Sequence, residues 1–335
     1  MRLRVAVDAM GGDRAPAVVV EGAVAAARQA ADHLDVLLVG PEADLRALMQ
    51  AHDDAAGLPL HLVDAPEVIA MGEAPTTALK TKPNSSIHRG LQAIRAGQAD
   101  VFVSAGNTGA VMAAALFILG RVPGVARPAL PALFPNPQQR PTVVVDVGSN
   151  VDCKPEHLVQ FGLMGAIYAE RILHREHPTV ALLNIGEEPG KGNEQIKEAY
   201  RLFSETPSLR FKGNIEGRDL LQYTADVVVC DGFVGNIILK LGESVATILP
   251  QMIGQEMQRQ GLAPDEQALV ARVLRGALRC FDYQEFGGVP LLGIDGHVLI
   301  GHGGSSARAI ERMILNGAEF ARQNVAGAIK SALAS

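Results

Sequence analysis

Short, nearly all-apolar runs rich in Val, Ile and Leu alternate along the chain with longer stretches of helical period. The runs lie at residues 4–8, 36–39, 99–104, 142–147, 179–184, 226–231 and 298–300. Nearly all of them end at a turn rich in Gly and small polar residues. The first passes through Gly11, Gly12 and Asp13 to Pro16; the third passes through Gly106 and Asn107 to Gly109. Helices are expected over about 16–30, from Pro155 to about 173, near 194–203 and from Ser305 to about Gln323. Pro155 suits a first helical position, where its missing N–H is not needed. The 155–173 helix is apolar almost all round and is expected to lie deep. Strands that are apolar on both faces and alternate with helices predict an α/β fold with a largely parallel, mixed sheet covered on both sides.

Residues 240–285 break the alternation. They carry Gln, Met, Leu and Arg and no strand pattern, and the stretch Gly261 to Pro264 suits a link between two helices. A projecting helical hairpin is expected there, serving as a dimer arm or as a membrane or partner contact. Ile248, Leu249, Met252, Ile253 and Met257 fall at helical spacing on it.

The chain has 335 residues, enough for one large catalytic α/β domain or two intertwined subdomains. No charge-free run of about 18 apolar residues occurs, so no transmembrane helix is expected, and the chain opens on a strand rather than a leader. Cys153, Cys230 and Cys280 show no metal-like spacing and read as reduced thiols of a cytoplasmic protein. A net charge of −6 without a basic tract argues against nucleic acid as a partner.

In an open α/β sheet, ligands bind beyond the carboxyl ends of the strands, where helix N-termini present free N–H groups to anions. The turns there carry Asp8, Asp13, Ser104, Asn107, Thr108, Asn150, Asn184, Lys191, Asp231, Asn236, His302 and Ser305, a set rich in Asn and poor in Arg. Each has a plainer reading. Asp13, Asn107, Thr108, Asn150 and Asn236 suit helix caps or turns. Lys191 could be a solvent lysine, though its flanking glycines let it close on a ligand; His302 could be an exposed loop residue. Established motifs fail here. Gly186–Lys191 is one spacer short of a P-loop, with Gly192 where Ser or Thr is needed. Gly301–Ser306 lacks the last glycine of a dinucleotide fingerprint. Cys230 at a strand end could carry an acyl group, but a small buried hydrophobe is the stronger reading.

Taken together, the stretches DAMGGD (8–13), KTKPNSS (80–86), VSAGNTGA (103–110), DVGSNVDCKPEHLVQFG (146–162), LLNIGEEPGKGNE (182–194), GNIEGRD (213–219), CDGFVGN (230–236), PLLGIDG (290–296) and IGHGGSSARAI (300–310) resemble the phosphate acyltransferase family of bacterial phospholipid synthesis. The resemblance spans nearly the whole chain, departing at Asn84, Val234, Gly304 and Ser306. It implies a three-layer α/β/α, Rossmann-like fold similar to phosphotransacetylase and isocitrate dehydrogenase. It also implies reversible transfer of a fatty acyl group from acyl–acyl carrier protein to inorganic phosphate. The acyl phosphate would feed a membrane glycerol-phosphate acyltransferase. A homodimer with no metal or other cofactor is implied, cytoplasmic and able to touch the inner face of the membrane.

By that resemblance Lys191 and Asn236 are the catalytic pair. Lys191 would stabilise charge on phosphate or on the carbonyl oxyanion, and Asn236 would orient beside it. Gly11, Gly12, Asp13, Ser104, Gly106, Asn107, Thr108, Asn150, Asn184, Asp231, Gly235, His302 and Ser305 would line the phosphate and pantetheine site. Asp8 and Asp146 would support the loops, and Asp8 and Asp13 are expected to face loop donors rather than substrate. The carrier protein is acidic, so Arg259, Arg272, Arg275 and Arg279 are candidates for docking it. The alternatives are a phosphotransacetylase acting on acyl-CoA, a dehydrogenase of the same fold group and a non-enzymatic phosphate- or acyl-binding scaffold.

Overall fold

The structure is a computed structural model that describes residues 2–52, 55–278 and 283–334. Arg279 and Cys280 therefore lie outside the described residues. In chain order the elements begin with β1 (Leu3–Asp8), α1 (Ala17–Gln29), β2 (Leu34–Gly40), α2 (Glu42–Gln50), β3 (Leu60–Asp64), α3 (Pro75–Thr81), α4 (Ser86–Arg95), β4 (Val101–Ser104) and α5 (Thr108–Ile118). Next come β5 (Pro131–Phe134), β6 (Thr142–Val145), α6 (Pro155–Arg171), β7 (Thr179–Leu183), α7 (Glu194–Ser204), β8 (Arg210–Ile215), a 3-10 turn at Gly217–Leu221, β9 (Val227–Val229), α8 (Gly232–Arg259) and α9 (Pro264–Leu278). The last are α10 (Tyr283–Phe286), β10 (Val289–Pro290), β11 (Val298–Ile300), α11 (Ala307–Arg322) and α12 (Val325–Ala334).

These elements gather into two compact units. Unit 1 holds Met1–Pro131, Ala166–His177 and Phe286–Ser335; unit 2 holds Ala132–Gly165 and Pro178–Glu285. The strands divide accordingly between a six-stranded sheet, β10-β11-β4-β1-β2-β3, and a five-stranded sheet, β5-β6-β9-β7-β8. In unit 1, β11, β4, β1, β2 and β3 run parallel and β10 is antiparallel to β11. In unit 2, β6, β9, β7 and β8 run parallel. The class is α/β with parallel sheets.

Sequence explains the centre of each sheet. Val5, Val7, Val101, Phe102 and Val103 in unit 1, and Val143 to Val145 with Val227 to Val229 in unit 2, are buried. Small residues let the helices approach. A Cβ on Gly22 of α1 would stand 2.5 Å from the Ala307 carbonyl at the start of α11. α6 buries one face, with Leu158, Phe161, Met164, Tyr168 and Ala169, and leaves Glu156, Glu170 and Arg171 exposed; Gly165 brings it against Val227. The strands that the apolar pattern missed are the half-exposed β3 and β8 and the short β5 and β10. Edge positions need no continuous apolar run, so the sequence signal there is weak.

Asp231 caps α8 through the N–H of Val234 at 2.8 Å. The helix then runs 28 residues, through Pro250, to Arg259, with Gln260 at its cap. Gly261, at a φ of 66°, turns the chain into α9, which has no buried residue. By length and composition α8 is apolar enough to cross a membrane: an 18-residue window has a mean hydropathy of 1.4 and is 11% buried. The helix is no charge-free run, since it carries Lys240 and Glu243, paired at 2.7 Å. Its first turn belongs to the packed core of unit 2, with Gly232 and Gly235 both buried. Among the arginines expected to form a basic patch, Arg259 is paired with Glu256 at 2.9 Å.

Candidate functional site

In unit 1 the carboxyl ends of β1, β4 and β11 are neighbours, so their turns meet. Asp8 ends β1 at 2% exposed. It accepts a 2.6 Å hydrogen bond from the Ser104 hydroxyl and a 3.1 Å bond from the N–H of Met10. Burial pushes its carboxyl above the ordinary range, opposed by Ser104, Ser86 and the backbone of Met10 and Gly11. Ser104 in turn accepts from the N–H of Gly106 at 3.0 Å. A Cβ on Gly11 would stand 2.6 Å from the Asp8 carboxylate and 2.7 Å from the Gly106 nitrogen. Only glycine leaves room for that contact. Gly12 has a φ of 115°, a left-handed conformation that strains other residues.

The third turn joins through backbone. Asp13 N–H donates to the Gly303 carbonyl at 2.8 Å, and Gly301 N–H donates to Ser104. Ser305 is buried and donates its hydroxyl to the His302 carbonyl at 2.6 Å. The exposed His302 accepts from the Gly304 N–H through Nδ1 at 3.1 Å. Asp13 is not a helix cap, contrary to the sequence reading. α1 starts four residues later, with Pro16 at its cap position and no side-chain bond there. Asp13 is exposed and stands beside Gly303.

Asn107 is a cap, and more. Its Oδ1 accepts from the Ala110 N–H at 3.1 Å while its Nδ2 donates to the carbonyls of Glu73 at 2.9 Å and Met71 at 3.0 Å. Its amide is spent on protein contacts. The groups left for an anion at the start of α5 are the backbone N–H groups of Thr108 and Gly109, which have no partner among the described residues.

In unit 2 the ends of β6, β9 and β7 carry the other turns. Asp146 is buried, yet donors surround it. They include the Ser149 hydroxyl at 2.5 Å, the Asn150 N–H at 2.6 Å, the Asn150 Nδ2 at 3.1 Å and the Ser149 N–H at 3.3 Å. Such bonds compensate a desolvated carboxylate. Asp146 and Asn150 thus build one turn, which also holds the start of α8: Gly232 N–H donates to the Asn150 carbonyl at 2.7 Å. A Cβ on Gly235 would lie 1.9 Å from the Asp146 carbonyl oxygen. The Asn236 side chain lies against Gly148, exposed, with no hydrogen-bond partner among the described residues.

Lys191 sits in the loop between β7 and α7. Asn184, which follows β7, donates from Nδ2 to the Lys191 carbonyl at 3.1 Å and accepts from the Ile185 N–H at 2.8 Å. Lys191 N–H donates to the Glu188 carbonyl at 3.1 Å. Its stem passes over Gly186, where a Cβ would stand 2.9 Å from Cγ. The ammonium is exposed and makes no ion pair among the described residues, although Lys197, Arg201 and Arg218 nearby in sequence are all paired. Cys230 is buried, and burial, with the charges of Asp231 and Asp146, pushes its thiol well up.

The sequence reading therefore named the turns, and the structure shows what several of their side chains bond to. Ser104, Ser305, Asn107, Asn150 and Asp231 hold protein. It overlooked Ser306, which caps α11 through the Ala309 N–H, and Asn193, which caps α7 through the Ile196 N–H at 2.9 Å. The cap pattern of a small polar residue before a helical run could have found both. It also overlooked Arg14, which reaches the Ser305 carbonyl at 3.0 Å, and Asn214, which donates to the Glu188 carbonyl. No local pattern marks these two. Among the described residues no group of three His, Cys, Asp or Glu is gathered to hold a metal ion.

The model of a family described as "Fatty acid synthesis protein" matches residues 3–328. A phosphate acyltransferase of Salinibacter ruber is 56% identical over 332 residues, covering 99% of this chain and 98% of that protein. One of Chlorobaculum tepidum is 48% identical, covering 97% and 100%. Among solved structures, a phosphotransacetylase from Streptococcus pyogenes superposes with a TM-score of 0.63 at 18% identity, covering 96% of this chain and 95% of that one. A 4-hydroxythreonine-4-phosphate dehydrogenase from Klebsiella pneumoniae superposes at 0.56 and 12% identity, covering 96% and 98%. The two structures share the fold.

Proposed function

The chain belongs to the phosphate acyltransferase family and is an acyltransferase, and from that premise we propose that it moves a fatty acyl group from the thioester of acyl–acyl carrier protein to inorganic phosphate. A phosphate oxygen attacks the thioester carbonyl. The new C–O bond forms, the C–S bond breaks, and the electron pair leaves on sulfur. A thiol with a pKa of about 8–9 departs as thiolate with little acid help. Phosphate is already an anion at neutral pH and needs aiming rather than deprotonation.

The observation that carries this reading is Lys191: exposed, without an ion pair among the described residues, and anchored by its own backbone at both N–H and C=O. A lysine so held can stabilise charge on the phosphate or on the tetrahedral oxyanion. The free amide of Asn236 supplies the orienting donor. A fixed oxyanion donor is worth about 3–4 kcal/mol. Within unit 1, the N–H groups of Thr108 and Gly109 at the start of α5, without a partner among the described residues, are by themselves suited to hold an anion. Gly11, Gly12 and Gly106 keep that turn cluster compact. The buried, pushed-up Cys230 thiol favours direct attack over a covalent acyl-enzyme.

The test is phosphate-dependent release of thiol from palmitoyl–acyl carrier protein by Lys191→Ala, with the melting temperature as a check on folding. We expect kcat/KM to fall at least ~100-fold. Activity within a few-fold of the parent overturns the assignment of Lys191. Running palmitoyl-CoA in parallel separates the carrier-protein reading from a phosphotransacetylase acting on acyl-CoA.

A further inference from the structure

Asn214 is a buried side chain that the proposed chemistry does not use. It is 6% exposed, and its Oδ1 is buried with no hydrogen-bond donor among the described residues. A buried polar atom left unmatched costs stability, and an apolar isostere would avoid that cost. Something else about the amide must justify it.

Its nitrogen gives the reason. Nδ2 donates to the Glu188 carbonyl at 2.9 Å, and the same carbonyl accepts the Lys191 N–H at 3.1 Å. Only the amide nitrogen can face a carbonyl, so the orientation of the side chain is fixed by this bond. Asn184 holds the other side of Lys191 by donating to its carbonyl at 3.1 Å. The two peptide groups that flank Lys191 are thus tied, directly or through one carbonyl, to asparagines at the carboxyl ends of the adjacent strands β7 and β8.

The path of β8 supports this. Val180 pairs with Phe211, but Leu182 pairs with Asn214, so β8 spends three residues where β7 spends two. The extra residue makes a bulge, with Gly213 at a φ of 95°. Bulges re-aim side chains at the end of a ladder. Here the re-aimed side chain is Asn214, and it meets the loop that carries Lys191 from β7 to α7. At Gly190 the loop is open: a Cβ there would meet nothing within 4 Å. A further outward tie among the described residues is the exposed Glu187–Arg218 pair at 3.8 Å, which water and salt weaken.

We propose that Asn214 is a positioning residue for acyl transfer, holding the loop backbone so that the Lys191 ammonium meets the reacting oxygens. This inference rests on the catalytic reading of Lys191. It acts through Lys191 and touches no substrate, so it should change turnover rather than binding.

The test is a double-mutant cycle of Asn214→Leu and Lys191→Ala on the full chain. Asn214→Leu keeps the side-chain heavy-atom count and branching, removes the orphaned acceptor and removes the tether. We expect kcat to fall about tenfold with the KM for phosphate within twofold and the melting temperature equal or higher, and we expect no further loss when it is added to Lys191→Ala. An Asn214→Leu enzyme at parental kcat overturns the inference while leaving Lys191 intact. Equal losses with and without Lys191 also overturn it, since the effect would then not pass through the lysine. Near-parental activity of Lys191→Ala alone fails the underlying reading instead. If Asn214→Leu does not fold, Asn214→Ser runs the same cycle, with the same outcomes.

Discussion

A carboxylate at 2% exposure is a strained choice for a strand end, and Asp8 shows why it is kept. It gathers the Ser104 hydroxyl and the Met10 N–H, and so ties the β1 and β4 turns together. Its pKa is raised chiefly by burial. A carboxyl whose folded pKa exceeds its unfolded value contributes stability at low pH and loses that contribution as pH rises through the folded value. Ionised Asp8 therefore costs stability at neutral pH. Asp8→Asn keeps the shape and removes the charge. Its melting temperature should match the parent below the ordinary carboxylate range and exceed it as pH rises above that range, levelling off once Asp8 is fully ionised in the folded protein; a difference that is flat with pH would sink this account. The sequence showed that Asp8 ends a strand and that a second aspartate follows. It also suggested that both face loop donors rather than substrate. That reading suits Asp8. Asp13 lies exposed beside Gly303, and the sequence could not show this because its neighbour comes from a turn nearly 300 residues away.

The elements themselves were legible because their signals are local. Val298–Ile300 was read to the residue, and α1, α6, α7 and α11 to within about two. The register of one turn against another was not legible, because it depends on approach distances, as glycines show. Gly235 and Gly254 lie on the same helix, α8. A Cβ on Gly235 would meet the Asp146 carbonyl oxygen at 1.9 Å and its carbon at 2.9 Å; a Cβ on Gly254 would meet nothing within 4 Å. The same substitution should therefore have opposite signs at the two positions. Gly235→Ala forces the first turn of α8 off the Asp146 turn and should lower the unfolding free energy by about 3 kcal/mol. Gly254→Ala gains helix propensity and should raise it by about 1 kcal/mol. Urea titration of both variants checks the pair. Equal effects would show that the contact at Asp146 does not hold the helix.

At the scale of the whole molecule, one feature asks for a partner. Phe233, Ile237, Leu241, Val245, Ile248, Leu249 and Met252 recur every three or four residues along α8, and all are exposed. A single chain gains nothing by presenting such a stripe to water. The apolar spacing was readable in the sequence, but its lack of cover was not, since a pattern of this kind also describes a helix packed in a core. We propose that a second copy covers this face in a homodimer, while the α8–α9 turn near Leu262 makes the membrane contact. Leu241 and Val245 are 63% and 52% exposed, so replacing both with Glu should leave the fold intact. In an interface each change would lose roughly 2 kcal/mol of apolar burial and add a charge. The parent should sediment at the mass of two chains and Leu241→Glu/Val245→Glu at the mass of one. Leu262→Glu should stay dimeric and lose co-sedimentation with anionic phospholipid vesicles. A double variant that remains dimeric would place the subunit contact elsewhere. A double variant that is dimeric and also releases vesicles would assign the stripe to lipid instead.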